Sequence, residues 1–169
     1  MKKENIYIEK ICVWFTTLGG IGFLPKAPGT WGSLAALAVL FIPVLYRTET
    51  IFVLIIIFTI LGYFAIKPVE KKYGSDASVI VIDEVIGMWL TLASPYVPHN
   101  LLWVSIAFVL FRFFDIKKPF PISWINRQQG SFYVLFDDIL AGIAASICLH
   151  ILHTGYMLAP LVYYYFKNG

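Results

Sequence analysis

Five carboxylates stand out because the chain around them carries so little charge. They are Asp83 and Glu84, Asp115, and Asp137 and Asp138. Each borders a long apolar stretch, where an ionised group is costly and is expected to face a cavity or a partner. Five anions converging on one site cannot all stay ionised without cations. Mg²⁺ suits them, because it takes carboxylate oxygens and keeps waters for a substrate phosphate. Lys26, Arg112, Lys117 and Lys118 are the other neutralisers near the same apolar ends. Carboxylate-held metal beside basic groups is the equipment of phosphoryl transfer or hydrolysis. The metal polarises a phosphoryl oxygen and activates water, while Lys and Arg balance the equatorial charge.

A third ingredient precedes the first apolar stretch, in the run GFLPKAPGTWGS from Gly22 to Ser33. Gly29-Thr30-Trp31-Gly32-Ser33 is expected to open a helix. The N–H groups of such a terminus bind phosphate, and Thr30 or Ser33 is placed to cap it. The Gly-Lys-Ser/Thr ending of a P-loop is missing.

Plainer roles exist for each group. Acids at helix N-termini are favoured by the dipole alone. In an adjacent pair the two side chains point about 100° apart, so one of each pair is expected to face the site. Arg112 and Asp115 are spaced as an i,i+3 ion pair. Lys117 and Lys118 suit headgroup contacts. His99, His150 and His153 fall in no motif. Cys12 and Cys148 lie in apolar context without a CxxC and are expected to be inert.

These residues sit in a chain of 169, which is room for a single domain spanning 1–169. It is 59% hydrophobic, 17% aromatic and 14% charged, with net charge +3 and mean hydropathy +0.77. Disorder needs few aromatics and high charge. Two cysteines make no disulfide scaffold. The slight basic excess lacks the basic run with interleaved aromatics of a nucleic-acid binder. The composition predicts an all-α, multi-pass membrane helical bundle.

Five apolar segments supply the helices: Trp31–Tyr46, Thr50–Ile66, Ala77–Val97, Leu101–Phe114 and Ile139–Phe166. No sustained period-2 alternation argues for strands. Several segments fall short of the roughly 20 apolar residues of a full span, so about four to five membrane-embedded helices are expected. Pro43 and Pro95 lie near the far ends of the first and third segments, where a helix stops or kinks. Before them, Met1–Leu18 begins Met-Lys-Lys, but no small-residue cleavage site follows its short apolar run. Ile8, Ile11, Trp14, Phe15 and Leu18 recur at helical spacing opposite Glu9 and Lys10, which predicts an N-terminal amphipathic helix.

With the N-terminus cytoplasmic and five spans, one side carries Lys2, Lys3, Lys10, Lys26, Lys67, Lys71, Lys72, Arg112, Lys117, Lys118 and Arg127. The other carries Arg47 and Lys167. This assignment obeys the positive-inside rule and puts four polar clusters, Gly22–Ser33, Ile82–Glu84, Phe111–Ile122 and Phe136–Asp138, at the cytoplasmic face.

Four runs now carry a resemblance: GFLPKAPGTWGS (Gly22–Ser33), VIDEVIG (Val81–Gly87), FRFFDIKKPFPI (Phe111–Ile122) and DDILAG (Asp137–Gly142). Together, in order and over nearly the whole chain, they resemble the signature set of the bacterial phosphatidylglycerophosphatase A family. The stretch Gln128–Val134 departs from the family, being poorer in glycine. The resemblance implies a Mg²⁺-dependent, largely helical enzyme of the bacterial inner membrane. It would remove the terminal phosphate of the phospholipid phosphatidylglycerophosphate at the cytoplasmic face. It implies that Asp83, Glu84, Asp115, Asp137 and Asp138 are catalytic carboxylates. Asp83, Glu84, Asp137 and Asp138 would be metal ligands. Lys26, Thr30, Arg112, Lys117 and Lys118 would handle phosphate.

The residues exclude other phosphatase routes. There is no Cys-x5-Arg loop, no Asp-x-Asp-x-Thr/Val, and no motif-placed histidine for a phosphoenzyme. The expectation is a metal-activated water attacking in line. The rivals are a phosphatase of another lipid phosphomonoester, a headgroup transferase, a non-catalytic membrane-bundle subunit and a divalent-cation transporter. The transporter would want its acids near the midplane between inverted repeats, and the transferase motif Asp-Gly-x2-Ala-Arg is absent.

Overall fold

The computed structural model describes residues 2–45, 47–94, 96–128 and 130–168, with side chains from Ile6 onward. Pro95, Tyr46 and Gln129, and the side chains of Lys2 and Lys3, lie outside the described residues. Seven α-helices follow in order: α1 (Lys2–Thr16), α2 (Pro28–Ala36), α3 (Thr48–Tyr73), α4 (Ile82–Leu92), α5 (Leu101–Lys117), α6 (Ile122–Asn126) and α7 (Ser131–Asn168). Short 3-10 turns occupy Ile21–Phe23 and Leu37–Phe41, and there is no strand among the described residues. The chain is all-α, as its composition predicts.

Two helices, α3 of 26 residues and α7 of 38, are long and apolar enough to cross a membrane. The other segments take different lengths from those read off hydropathy. Trp31–Tyr46 is no continuous helix: α2 ends at Ala36 and passes into a 3-10 turn. Ala77–Val97 yields only the 11 residues of α4, about 16 Å at 1.5 Å per residue. The last segment gains about two turns at its start, SFYVLFDD, because α7 begins at Ser131. Hydropathy registers side chains, whereas a helix propagates through polar residues until its backbone bonding is interrupted.

α4 is the centre of the bundle, with nine of its 11 residues buried. It packs on α7, α2, α3 and α5. The α4–α7 crossing is made by two glycines, and a Cβ added to Gly87 would lie 2.6 Å from the Asp138 carbonyl oxygen. α2 approaches through Gly32, whose added Cβ would meet Val81 Cβ at 2.8 Å. Hydrogen bonds fasten both contacts. Trp89 Nε1 donates to the Ala36 carbonyl at 2.9 Å, and Thr91 Oγ1 to the Gly142 carbonyl of α7 at 3.4 Å. Around them Ile66, Ile82, Ile86, Met88, Phe111 and Leu149 are fully buried and hold the helices together by close packing.

The predicted apolar face of α1 is divided. Phe15 packs on Phe58 of α3 with ring centroids 5.4 Å apart, and Glu9 pairs with Lys72 at 2.7 Å. Ile8, Ile11 and Trp14 point outward, Trp14 being 69% exposed. One edge of α1 therefore holds it to the bundle while the other offers apolar surface of the kind an interfacial helix inserts.

Candidate active site

The carboxylates meet at one end of the bundle. Asp83 and Glu84 stand in the first turn of α4, and Asp138 stands on α7, one turn before Gly142. The Gly87–Gly142 crossing brings these turns together. Ligand oxygens of Asp83, Glu84 and Asp138 all lie within 4.8 Å of one another. Asp83 also turns an oxygen back to accept the Glu84 N–H at 3.1 Å, so both members of this pair reach the site. Asp137 and Asp138 do diverge, as helical geometry requires: Asp137 takes Lys118 as its partner.

Asp137 and Asp138 do not begin a helix. They lie in the second turn of α7, which starts at Ser131, beyond the reach of the terminal dipole. The dipole explains their presence poorly; a partner explains it well.

The cations are set by helix geometry. Arg112 and Asp115 are one turn apart on α5 and paired, and Arg112 Nη1 also donates to Ser33 Oγ at 3.3 Å. Ser33 in turn donates to the Gly29 carbonyl at 2.8 Å, which ties α5 to α2. Lys118 ends α5 in the left-handed conformation, at φ 42°. That turn directs its ammonium to Asp137 and to Asn126 Oδ1, the latter at 2.5 Å.

α2 closes the site from the third side. A Cβ on Gly29 would fall 2.0 Å from Glu84 Oε1 and 3.2 Å from Arg112 Nη1, so only glycine fits there. The helix has no side-chain cap. It begins at Pro28, behind Lys26 and Ala27 at φ 61° and 52°, and Thr30 and Ser33 are interior to it. The cap expected from Thr30 or Ser33 is therefore replaced by a strained left-handed pair and an N-terminal proline.

The electrostatics are those of crowded acids. Burial first, and then the Glu84 charge beside it, push the Asp83 carboxyl well above the usual range. Burial and the neighbouring Asp138 push Glu84 up to about 8, with Arg112 pulling the other way. Burial works against the Lys118 ammonium, but its contact with Asp137 outweighs that and holds its pKa up.

Three buried or half-buried carboxylates with convergent oxygens make a donor set for a hard cation. Glu84 Oε2 is enclosed without a hydrogen-bond partner, as is Arg112 Nε. A buried carboxylate oxygen without a donor is a position that a metal ion, displacing the proton, would satisfy.

Not every expected residue joins this group. Lys26 and Lys117 are exposed, with no ion pair among the described residues. Thr30 is half-buried in the first turn of α2. Three contributors were not among the expected site residues. Asn126, which holds Lys118, carries no signal in the sequence. Gly87 and Gly142 do: each follows an acid by one helical turn, in DEVIG and DDILAG.

Comparison with known proteins places the chain in a family. The profile of a family described as phosphatidylglycerophosphatase A matches residues 14–153. A Bacteroides thetaiotaomicron protein is 38% identical over 138 residues, covering 77% of this chain and 86% of its own. Its name provisionally makes it a phosphatidylinositol-3-phosphatase. A phosphatidylglycerophosphatase A of Escherichia coli is 35% identical over 134 residues, covering 78% and 77%. One of Haemophilus influenzae is 37% identical over 132 residues, covering 76% and 80%. No solved structure matches the chain.

Proposed function

The chain belongs to the phosphatidylglycerophosphatase A family, and from that premise we propose that it hydrolyses the terminal phosphate of phosphatidylglycerophosphate with the help of Mg²⁺. The observation that carries the metal reading is the convergence of Asp83, Glu84 and Asp138 within 4.8 Å, with Glu84 Oε2 lacking a donor. These three carboxylates would hold the ion, and Asp137, on the next position of α7, would complete or orient the set. When bound, the ion supplies Lewis-acid polarisation of a phosphoryl oxygen and a water of lowered pKa.

The chain's own groups do the rest. Arg112 and Lys118 flank the carboxylates and would take the non-bridging oxygens of the phosphate. Asp115 and Asp137 keep both cations aimed while the site is empty of substrate. Arg112 Nε is a spare donor for this purpose. The Gly29 turn of α2 adds a helix N-terminus on the same side. Attack of water on phosphorus in line with the glycerol oxygen breaks the P–O bond. The products are inorganic phosphate and the free hydroxyl of phosphatidylglycerol.

The setting supports a membrane enzyme. α3 and α7 would cross the bilayer, with α2, α4 and α5 embedded beside them as a multi-pass bundle. The site would face the cytoplasm of a bacterial inner membrane, where the positive-inside rule puts Lys67, Lys71, Lys72 and Lys118.

The test is phosphate release from phosphatidylglycerophosphate in detergent micelles with Mg²⁺, with EDTA, and with Asp138→Asn. Release lost in the last two supports the reading, and release unaffected by EDTA overturns the metal's part. The Bacteroides relative's name favours one second reading, a phosphatidylinositol phosphate as substrate. Comparing kcat/KM for the two lipids decides between them.

A further inference from the structure

We propose that the groove between α3 and α7 is the path by which the lipid substrate reaches the carboxylates, one acyl chain lying in the groove and the diester phosphate meeting Lys67. The inference rests on the lipid-phosphatase reading above and adds where and how the lipid is held.

Three cavities meet end to end along these two helices. The first is a constriction of about 10 Å³ lined by Asp137, Asp76, Asn126, Gly130 and Tyr133, next to the acids, which the headgroup must widen on entry. Gly130 and Tyr133 also line the second, a cavity of about 520 Å³ bounded by Lys67, Glu70, Ser131 and Phe132. Tyr63, Phe64 and Phe132 continue from there into the third, an apolar groove of about 400 Å³ reaching Ile60, Phe136 and Ile139. Polarity thus falls steadily from Asp137 to Ile60. A phospholipid with an extended phosphorylated headgroup has the same order: terminal phosphate, polar spacer, diester phosphate, acyl chain.

The walls suit that occupant. Ile60, Tyr63 and Phe132 are about half exposed and Phe64 is 70% exposed, so the groove is open sideways along its length, as a lipid entering from a bilayer needs. The stacked pair Phe132 and Phe136, with centroids 5.0 Å apart, makes one flat wall. At the mouth Glu70 is already engaged, accepting the Asp76 N–H at 3.2 Å and the Ser131 hydroxyl at 3.5 Å. Lys67 makes no ion pair among the described residues, which leaves its charge for an anion. A volume of 400–500 Å³ lies within the roughly 300–1,000 Å³ of small-molecule sites.

The experiment compares three substrates of the full chain in micelles: dioleoyl phosphatidylglycerophosphate, its deacylated headgroup, and phosphatidic acid, which lacks a diester phosphate. Ile60→Trp fills the groove and should raise KM for the dioleoyl lipid by about tenfold or more relative to the deacylated headgroup, with kcat little changed. Lys67→Ala should raise KM for the dioleoyl lipid and not for phosphatidic acid. Val109→Trp, at an exposed position of α5, a helix that lines none of the three cavities, controls for bulk at the lipid surface. Equal effects of Ile60→Trp on acylated and deacylated substrates, or equal effects of Ile60→Trp and Val109→Trp, overturn the groove. Loss of hydrolysis of all three substrates by the unmodified chain overturns the phosphatase reading itself, a distinct result.

Discussion

Gly142 lies so close to Gly87 that a Cβ on Gly142 would come within 2.5 Å of the Gly87 carbonyl oxygen. One turn before each glycine stand the acids, Glu84 on α4 and Asp138 on α7. The distance between two backbones therefore sets the distance between two carboxylates. Gly142→Ala should destabilise the fold by about 1–3 kcal/mol through overpacking and reduce Mg²⁺ affinity. A thermal melt and a metal titration on the same variant check both. An unchanged metal affinity in a destabilised protein would detach the glycine contact from the site.

Arg112 Nη1 meets both Asp115 and Ser33, and under the proposed function the rest of its planar fork would take the phosphate, which lysine does not replace. Arg112→Lys should lower kcat/KM by about 10²-fold or more with a smaller change in melting temperature. A loss of stability matching the loss of activity would mean that Arg112 only joins α5 to α2.

Glu84 titrates at about 8 in the fold and near 4.3 in an unfolded chain. Between those values the folded state holds the proton that the unfolded state has lost. Stability without metal therefore falls as pH rises from about 4.5 to 8, then levels off. Melting temperatures in EDTA should drop by several degrees over that window. Glu84→Gln should flatten the profile, and saturating Mg²⁺ should restore stability at the alkaline end. A rise in stability across the window in EDTA would contradict the crowding of these acids.

The orientation of α3 and α7 is open to labelling. A cysteine at Ser75, at the exposed turn after α3, should react with a membrane-impermeant maleimide only when the cytoplasmic side is accessible. One at Asn168, at the far end of α7, should react from the opposite side. Labelling of both from one side would mean that at least one of the two helices does not cross.

The chemistry was more legible than the architecture. Asp83, Glu84, Asp115, Asp137 and Asp138 are visible because ionised groups among apolar residues have few innocent uses, and the structure gathers them at one end. Helix ends were harder to read. Hydropathy starts the last segment at Ile139, because Asp137 and Asp138 interrupt the apolar run, yet α7 passes through both from Ser131. Val81 and Ala93 look as apolar as the helix between them, so nothing in composition marks the limits of α4. Lys26 and Lys117 illustrate the converse: both stand in signature runs and both point to solvent. Asn126 reaches the site only because Lys118 is turned toward it, a fact of backbone geometry that no spacing rule contains.

Lys118 is at once the residue that stops α5 and the counter-ion of Asp137. Its register is thereby locked to that of the helix. A single residue inserted between Arg112 and Lys118 would swing the lysine about 100° around the helix axis and strip Asp137 of its partner. The connection from Lys118 to Ser131 is tied back to the site at Asn126 of α6, which holds the Lys118 ammonium, and carries no such constraint beyond it. Natural variation in chain length should accordingly collect between Asn126 and Ser131 and spare the last two turns of α5.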